Sequence, residues 1–325
     1  MSPAITPDMF DRPEPETSAH VHILMGTFNG GRWLGAQLDS FLAQTHTCWT
    51  LWVSDDGSSD DTRAQLEAFA SRYPGRLIRI LDGPRQGSAA NFLHLLCHPD
   101  LPSGIVALSD QDDVWMPHKL ERAVAQLSAA GPAPCVWSAR YMISNAELKA
   151  FRTSEIWSRG PSLGNAVVQN IMSGHTLTLN PAAVELMRCA EKQKVPHHDW
   201  WIYLVMMACG ARALLDPELV LHYRQHSANA IGVRSSASAR WRRLSALMKG
   251  DMHAWINGNL EALDNSKKLP LTTSARELLD RWHDHRLHNK LRLLLDLNIH
   301  RQSRLETVMF YIAELVIEVR KRCKR

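Results

Sequence analysis

The chain has 325 residues, too many for one small domain and enough for one large domain with an appendage. Apolar residues make up 45% and charged ones 22%, an ordinary soluble composition that can bury a sizeable core. The net charge of +4 is unevenly spread: residues 1–232 hold 18 Lys+Arg against 23 Asp+Glu, and residues 233–325 hold 19 against 10. An acidic body suited to holding metal is therefore followed by a basic tail suited to phosphate-rich surfaces. The six cysteines are scattered with no CxxC pair, which argues against a disulfide framework or zinc knuckle and for reduced thiols in a cytosolic protein.

Residues 1–19 are rich in proline and acid and read as a disordered lead-in rather than a signal peptide or anchor. No window holds eighteen uninterrupted apolar residues, so nothing need span a membrane. Short apolar runs then predict strands at VHILM (21–25), TLWVS (50–54), RLIRIL (76–81) and GIVALS (104–109). Helix-length periodic segments lie between them: RWLGAQLDSFLAQ, DTRAQLEAFASRY and SAANFLHLLCH. This alternation predicts an α/β fold with a mainly parallel central sheet. Beyond residue 130, GPAPCVWSARYMIS reads as a turn and a strand, SGHTLTLN as another strand, and Pro181 opens a helix. Residues 199–209 form an apolar helix with an acidic start, and ARALLDPELVLHYRQ gives two short strands around Asp216-Pro217. From Val233 onward the chain turns helical and basic, with RSSASAR as the hinge. The boundaries are thus a body at 20–232 and a helical C-terminal region at 233–325.

Five stretches carry chemistry. In TFNGG (27–31), two glycines between strand and helix let backbone N–H groups approach a ligand, or simply make a tight turn. In SDDGSSDDT (54–62), Gly57 turns the chain, Ser58 or Ser59 caps the next helix, and Asp60 and Asp61 complement its dipole. Asp55 and Asp56 are left over at a strand's carboxyl end, where open α/β sheets place ligands. In SDQDDVW, Asp110 and Asp112 are two apart, so an extended segment points both the same way to share one divalent cation with a diphosphate. Magnesium and manganese suit that chemistry. Asp113 reads as the cap of the helix that Pro117 helps open. In HHDWW (197–201), Asp199 at a helix start is either a cap or a general base. In LHYRQHSAN (221–229), His222 and His226 lack a matched zinc set. Arg224 and His226 share one face, which meets phosphate or metal, or else only water.

In this order, TFNGGRWLGAQLDSFLAQT, WVSDDGSSDDT, GSAANFLHLL, ALSDQDDVWMPHKL, HHDWW and LVLHYRQHSANAIG resemble the family-two glycosyltransferases of the GT-A fold, in their bacterial rhamnosyltransferase-like subset. The resemblance spans roughly residues 20–232. It implies Thr27 and Asn29 at the nucleotide base and ribose, Asp55 or Asp56 reading base or sugar, and Asn91 helping to hold the nucleotide-sugar. It further implies Asp110 and Asp112 as the DxD element binding Mn2+ or Mg2+, and Asp199 as the catalytic base. His226 would add a metal or phosphate contact, with Arg224 beside it. Phe28 stands where many members carry tyrosine. The function implied is inverting, metal-dependent transfer from a UDP- or dTDP-sugar to a glycan or lipid-linked glycan acceptor, in bacterial cell-surface polysaccharide synthesis. A metal-dependent phosphohydrolase and a non-catalytic nucleotide-sugar-binding module are the rival readings. No nucleic-acid partner is implied.

The tail matches no part of that family. In residues 304–325, Val308, Tyr311, Ile312, Leu315 and Val319 fall on one helical stripe, with Glu314 and Glu318 off its centre. The stripe either packs on the catalytic domain or, with RKRCKR, docks peripherally on an anionic cytoplasmic leaflet.

Overall fold

A mixed sheet of nine strands carries every other element of the protein's body. The computed structural model describes residues 19–226 and 251–322, except 283 and 285. The expected lead-in, 1–19, lies outside the described residues save for its last residue, and the expected hinge and domain boundary fall within 227–250, also outside them. The strands are β1 (Val21–Thr27), β2 (Trp49–Asp55), β3 (Leu77–Asp82), β4 (Ile105–Ser109), β5 (Val114–Trp115), β6 (Cys135–Ser144), β7 (Ala150–Thr153), β8 (Thr178–Leu179) and β9 (Arg212–Arg224). Their order is β3-β2-β1-β4-β8-β6-β9-β5, with β7 also paired to β6. The first four in that order are mutually parallel; β8 and β5 run antiparallel to their neighbours.

Strand β1 is apolar without alternation because both its faces are covered. Val21, Ile23 and Met25 join one core, and Leu24 joins the other. Helices follow in chain order: α1 (Gly31–Leu42), α2 (Thr62–Arg72), α3 (Ser88–Leu96), α4 (Lys119–Ala130), the short α5 (Leu163–Ala166), α6 (Pro181–Ala190) and α7 (His198–Ala208). Leu34 and Phe41 of α1, Leu66 of α2 and Leu120 of α4 fill the first core, while α3, α6 and α7 fill the second. Helix α6 begins where Asn180 accepts from Ala183 N at 2.9 Å and Pro181 occupies the first turn. Helices α8 (Asp251–Asn265), α9 (Thr273–Trp282), α10 (Leu287–Asp296) and α11 (Arg304–Arg322) extend that second core through Leu263, Trp282, Leu294 and Phe310.

Three expectations change. In SGHTLTLN only Thr178–Leu179 joins the sheet, and Gly174–Thr176 forms a 3-10 turn. Thr176 Oγ1 donates to Ser173 O at 2.8 Å and closes that turn. Residues 212–224 form one strand rather than two, with its register against β6 shifting around Ala139 and Arg140. Asp216 anchors the irregularity through Arg122 (2.7 and 2.9 Å) and Trp137 Nε1 (3.1 Å), so Pro217 sits where the ladder is already interrupted. Finally, α11 does not bury the expected stripe: Val308 and Ile312 are more than half exposed, while Phe310, Ala313, Glu314 and Glu318 are buried. Glu314 accepts from His253 Nδ1 at 2.9 Å and lies 3.7 Å from the buried Lys290 Nζ, so α8 and α10 supply its countercharge.

Candidate active site

The loops that leave β1 and β2 are tied together before any ligand is considered. Thr27 Oγ1 donates to Asp55 Oδ1 at 2.8 Å, and Ser58 donates to the same carboxylate through N (3.0 Å) and Oγ (2.5 Å). Asn29, in the left-handed region at φ 48°, donates from N to Ser58 Oγ and accepts from Ser59 N. Gly30 N and Gly31 N are taken by Thr62 Oγ1 (2.9 Å) and Asp60 Oδ2 (3.0 Å). The expected serine cap of α2 is therefore absent: both serines are spent on Asn29 and Asp55. Asp56 accepts from Arg85 N (2.6 Å) and Gly87 N (3.0 Å) and so braces the turn into α3. Asn91 donates to Ser54 O at 2.8 Å, and its Oδ1 is buried without a partner among the described residues. Thr27, Asn29, Asp55 and Asp56 thus form a brace at the carboxyl ends of β1 and β2, with Asn91 behind it.

The acidic loop after β4 joins this brace through Gln111, whose carboxamide accepts from Phe28 N and donates to Phe28 O, both at 2.9 Å. A Cβ on Gly30 would collide with that carboxamide and displace it from Phe28. Asp110, Asp113 and His175 bring one ligand atom each within 4.8 Å of one another. His175 Nδ1 lies 3.6 Å from Asp110 and 3.7 Å from Asp113. Asp112 points elsewhere: its Oδ2 meets His226 Nε2 at 2.9 Å. Asp113 is not the expected helix cap. It is fully buried and accepts from Arg224 N at 3.2 Å, while α4 starts at His118 without a side-chain cap.

Burial dominates the electrostatics here. It pushes the Asp113 carboxyl well up, helped by the negative charges of Asp112 and Asp110. Burial and Asp110 also raise Asp112, against the opposing pull of His226. Burial would raise Asp110 too, but the His175 bond and charge outweigh it and hold that carboxyl low. Beneath the loop, Lys119 is wholly buried, with Nζ donating to His175 O at 2.7 Å and lying 3.2 Å from the centre of the Trp115 ring. Burial pushes its pKa well down while Asp113 and Asp110 oppose that.

These residues fit a divalent cation. Asp113 Oδ2 and His175 Nε2 are buried without a hydrogen-bond partner among the described residues, and a fold rarely leaves such atoms unmatched. Two carboxylates with an imidazole make a donor set for Mn2+ or Mg2+ completed by water and phosphate oxygens. Asp199, in the first turn of α7, accepts from Gly174 N at 3.3 Å and from its own Trp200 N at 2.7 Å. Gly174 immediately precedes His175, so the expected base and the acidic centre meet across one three-residue turn. A Cβ on Gly174 would sit 2.7 Å from His198 Nε2, so only glycine permits the approach. Arg224 is buried, donating to Asp112 O (2.9 Å) and Ala146 O, with its guanidinium 4.5 Å from the Trp33 ring centre. His226 stacks on that same ring at 5.4 Å.

Asp110, Asp112, Asp199, Arg224 and His226 therefore gather at one centre. Asp112 and His226 pair with each other there, instead of sharing the Asp110–Asp113–His175 cluster. The sequence reading missed His175, Lys119 and Trp33 altogether. His175 lay in a segment taken for strand, and Lys119 and Trp33 looked like ordinary helix residues.

The family described as Glycosyl transferase family 2 matches residues 22–182. The dTDP-rhamnosyl transferase RfbG of Shigella flexneri is 28% identical over 228 residues, which is 68% of this chain and 78% of that protein. The UDP-Glc:alpha-D-GlcNAc-diphosphoundecaprenol beta-1,3-glucosyltransferase WfgD of Escherichia coli is 32% identical over 108 residues, 33% of this chain and 40% of its own length. Among solved structures, the mannosyltransferase PcManGT of Pyrobaculum calidifontis, in complex with GDP-Man and Mn2+, superposes with a TM-score of 0.50 at 20% identity, covering 95% of this chain and 89% of its own. A sheet whose parallel strands end in braced loops, with acidic residues at its mouth, belongs here to a glycosyl transferase family 2 domain of GT-A fold, and the chain that carries it is a glycosyltransferase.

Proposed function

We propose that the protein performs metal-dependent, inverting transfer of a sugar from a UDP- or dTDP-sugar to a glycan or lipid-linked glycan in bacterial cell-surface polysaccharide synthesis. One observation carries this reading: Asp199 and the Asp110–Asp113–His175 cluster share the 174–176 turn. A cation held by that cluster would supply Lewis-acid stabilisation to the departing diphosphate. Asp110, Asp113 and His175 would hold it, and Lys119 lies beneath them with its Nζ donating to His175 O. Thr27, Asn29, Asp55 and Asp56 fix the backbone against which a nucleoside lies. Asn91 lies behind them, and Arg224 with the Asp112–His226 pair closes the phosphate side. Asp199 takes the proton of the acceptor hydroxyl as that oxygen bonds to the anomeric carbon, while the bond from that carbon to the diphosphate oxygen breaks on the opposite face. One displacement inverts the configuration, as with the base of inverting glycosidases. The relatives support the donor class: RfbG is a dTDP-rhamnosyl transferase, and WfgD by its name uses UDP-Glc on a diphosphoundecaprenol acceptor.

A thermal-shift screen of the full chain with UDP- and dTDP-sugars, with and without Mn2+, tests the reading. A ligand at a hundred times its dissociation constant stabilises by ~2.7 kcal/mol. The shift should require metal and nucleotide together and vanish in Asp110→Ala. An equal shift in excess chelator would end the metal reading, and sugar release independent of any acceptor would favour the hydrolase.

The acceptor class brings in the inner face of the plasma membrane. No helix of the described residues is long and apolar enough to cross a membrane. On α11, however, Leu305, Val308, Ile312 and Val319 are 70, 55, 52 and 45% exposed and share one helical face, ahead of the basic RKRCKR terminus. An apolar face flanked by cations suits peripheral docking on anionic lipid. Liposome co-sedimentation should show salt-sensitive binding that is lost in the chain ending at Arg304; equal partitioning of both forms leaves only a packing helix.

A further inference from the structure

Beside the acidic centre lies a second cleft, of about 230 Å3, that the donor reading does not use. One wall is β6 from Ser138 to Ile143, the facing wall is Arg152–Trp157, and the floor is the irregular stretch of β9 at Asp216-Pro217. Tyr141 is the partition between cleft and centre. Its ring stands edge-on to His175 at 4.6 Å, and its hydroxyl accepts from Ser173 Oγ at 3.3 Å. Ser173 lines the cleft and is followed by Gly174, whose N–H reaches Asp199. One peptide therefore separates the cleft from the base.

The lining restricts the occupant. At about 230 Å3 the cleft falls below the ~300–1,000 Å3 of drug-sized pockets, so it accommodates a single ring rather than an extended chain. Its cations are already committed. Arg140 donates to Ser154 O (3.0 and 3.2 Å) and Thr153 Oγ1 (2.8 Å), and Arg152 pairs with Glu155 at 3.4 Å. Asp216 is likewise held by Arg122. A phosphate would find no uncommitted charge there. What remains is apolar and hydroxylic: Ile156, 69% exposed at the rim, Trp157 with its indole N–H turned to Ile171 O, and the Tyr141 hydroxyl.

We propose that this cleft binds one uncharged pyranose ring of the acceptor, its C–H face on Ile156 and Trp157 and one of its oxygens accepting from Tyr141, so that a ring hydroxyl emerges beside Asp199. The proposal rests on Asp199 being the base. It makes the 150–157 hairpin arm, rather than the nucleotide loops, the part that selects the acceptor sugar.

Saturation-transfer NMR on the full chain with methyl pyranosides of gluco, galacto and rhamno configuration tests it, first alone and then with UDP or dTDP and Mg2+. At least one pyranoside should receive saturation through its ring protons, with the signal lost in Ile156→Asp and binding weakened in Tyr141→Phe by roughly 2- to 12-fold, the worth of one hydrogen bond. Ile156 is exposed, so its replacement leaves the fold intact. Equal saturation in wild type and Ile156→Asp, or none of the three sugars saturated in wild type, overturns the assignment. Nucleotide thermal shifts on the same samples keep the two readings apart. In the wild type, no sugar binding with an intact nucleotide shift sinks the cleft alone; sugar binding with no nucleotide shift sinks the donor site alone.

Discussion

The loops after β2 and β4 are both crowded with aspartates, yet they stand in opposite electrostatic states. After β2, Asp55 and Asp60 are surrounded by donors from Thr27, Ser58, Thr62 and the Gly31 backbone. Burial alone would raise the Asp60 carboxyl, but the bonds from Thr62 and Gly31 outweigh it and hold it low. After β4, Asp113 keeps one oxygen unmatched and is forced upward by burial and by its own neighbours. Negative charge in a sequence thus has two uses. One set stiffens backbone by saturating it with hydrogen bonds; the other is left short of donors, a deficit the proposed cation would make good.

The largest effect that would sharpen this contrast lies just outside both loops. Asp199→Asn keeps shape but removes basicity, so turnover should fall ~10²–10⁴-fold while donor binding persists in a thermal-shift titration. Donor affinity falling in step with rate would instead make Asp199 a prop for the Gly174 turn. Within the β2 loop, Asp55→Ala strips a buried acceptor from Thr27 and from both donors of Ser58. Charge-assisted bonds are worth ~1.5–3 kcal/mol each, so losing all three should cost about 4–5 kcal/mol or more in urea denaturation. A loss under about 1 kcal/mol would mean the brace is redundant.

Acid titration of whole-protein stability would blur the comparison unless His22 is separated out. Burial, then the nearby His20 charge, lowers its pKa to about 4, and its Nδ1 lies 3.0 Å from Thr50 Oγ1. The folded value is depressed, so the unfolded chain takes up this proton first. The contribution is complete above about pH 6.5 and drains away down to about pH 4, by up to about 3 kcal/mol at ~1.4 kcal/mol per pKa unit. His22→Asn should flatten that slope in denaturation midpoints compared at about pH 7 and pH 4.5; an unchanged slope puts the acid sensitivity in groups other than His22. The smallest effect is expected in the β4 loop. In chelator, Asp113→Asn should change stability by less than about 1 kcal/mol, because burial already disfavours the charge it removes, yet it should abolish the metal-dependent nucleotide shift. A cost equal to that of Asp55→Ala would erase the distinction between the two loops.

How much of this was legible depended on whether a residue's role is local. Strands β1 to β4 and helices α1 to α3 declare themselves by their own period, and the placing of ligand loops at strand ends follows from an open α/β sheet. Local pattern fails where a partner far along the chain decides. Asp113 looks like a helix cap until Arg224, more than a hundred residues later, supplies its N–H. Glu314 and Glu318 look like the wet face of α11, but His253 and Lys290 let Glu314 go inward and turn Val308 and Ile312 out. His175 was invisible because SGHTLT alternates like a strand, although the Thr176–Ser173 bond coils its first half.

The pairing of Gln111 with Phe28 has a further consequence. Parallel pairing of β1 with β4 stops at Met25 and Ser109, yet the carboxamide of Gln111 offers Phe28 one acceptor and one donor, as a neighbouring peptide would. The ladder is in effect prolonged by a rung made of side chain. Such a rung can be unzipped without breaking any strand, so the first loop can part from the acidic loop while the sheet stays whole. Gln111→Glu keeps size and reach but sets a second oxygen against Phe28 O, turning the rung into a repulsion: a latch open at neutral pH and closed again in acid.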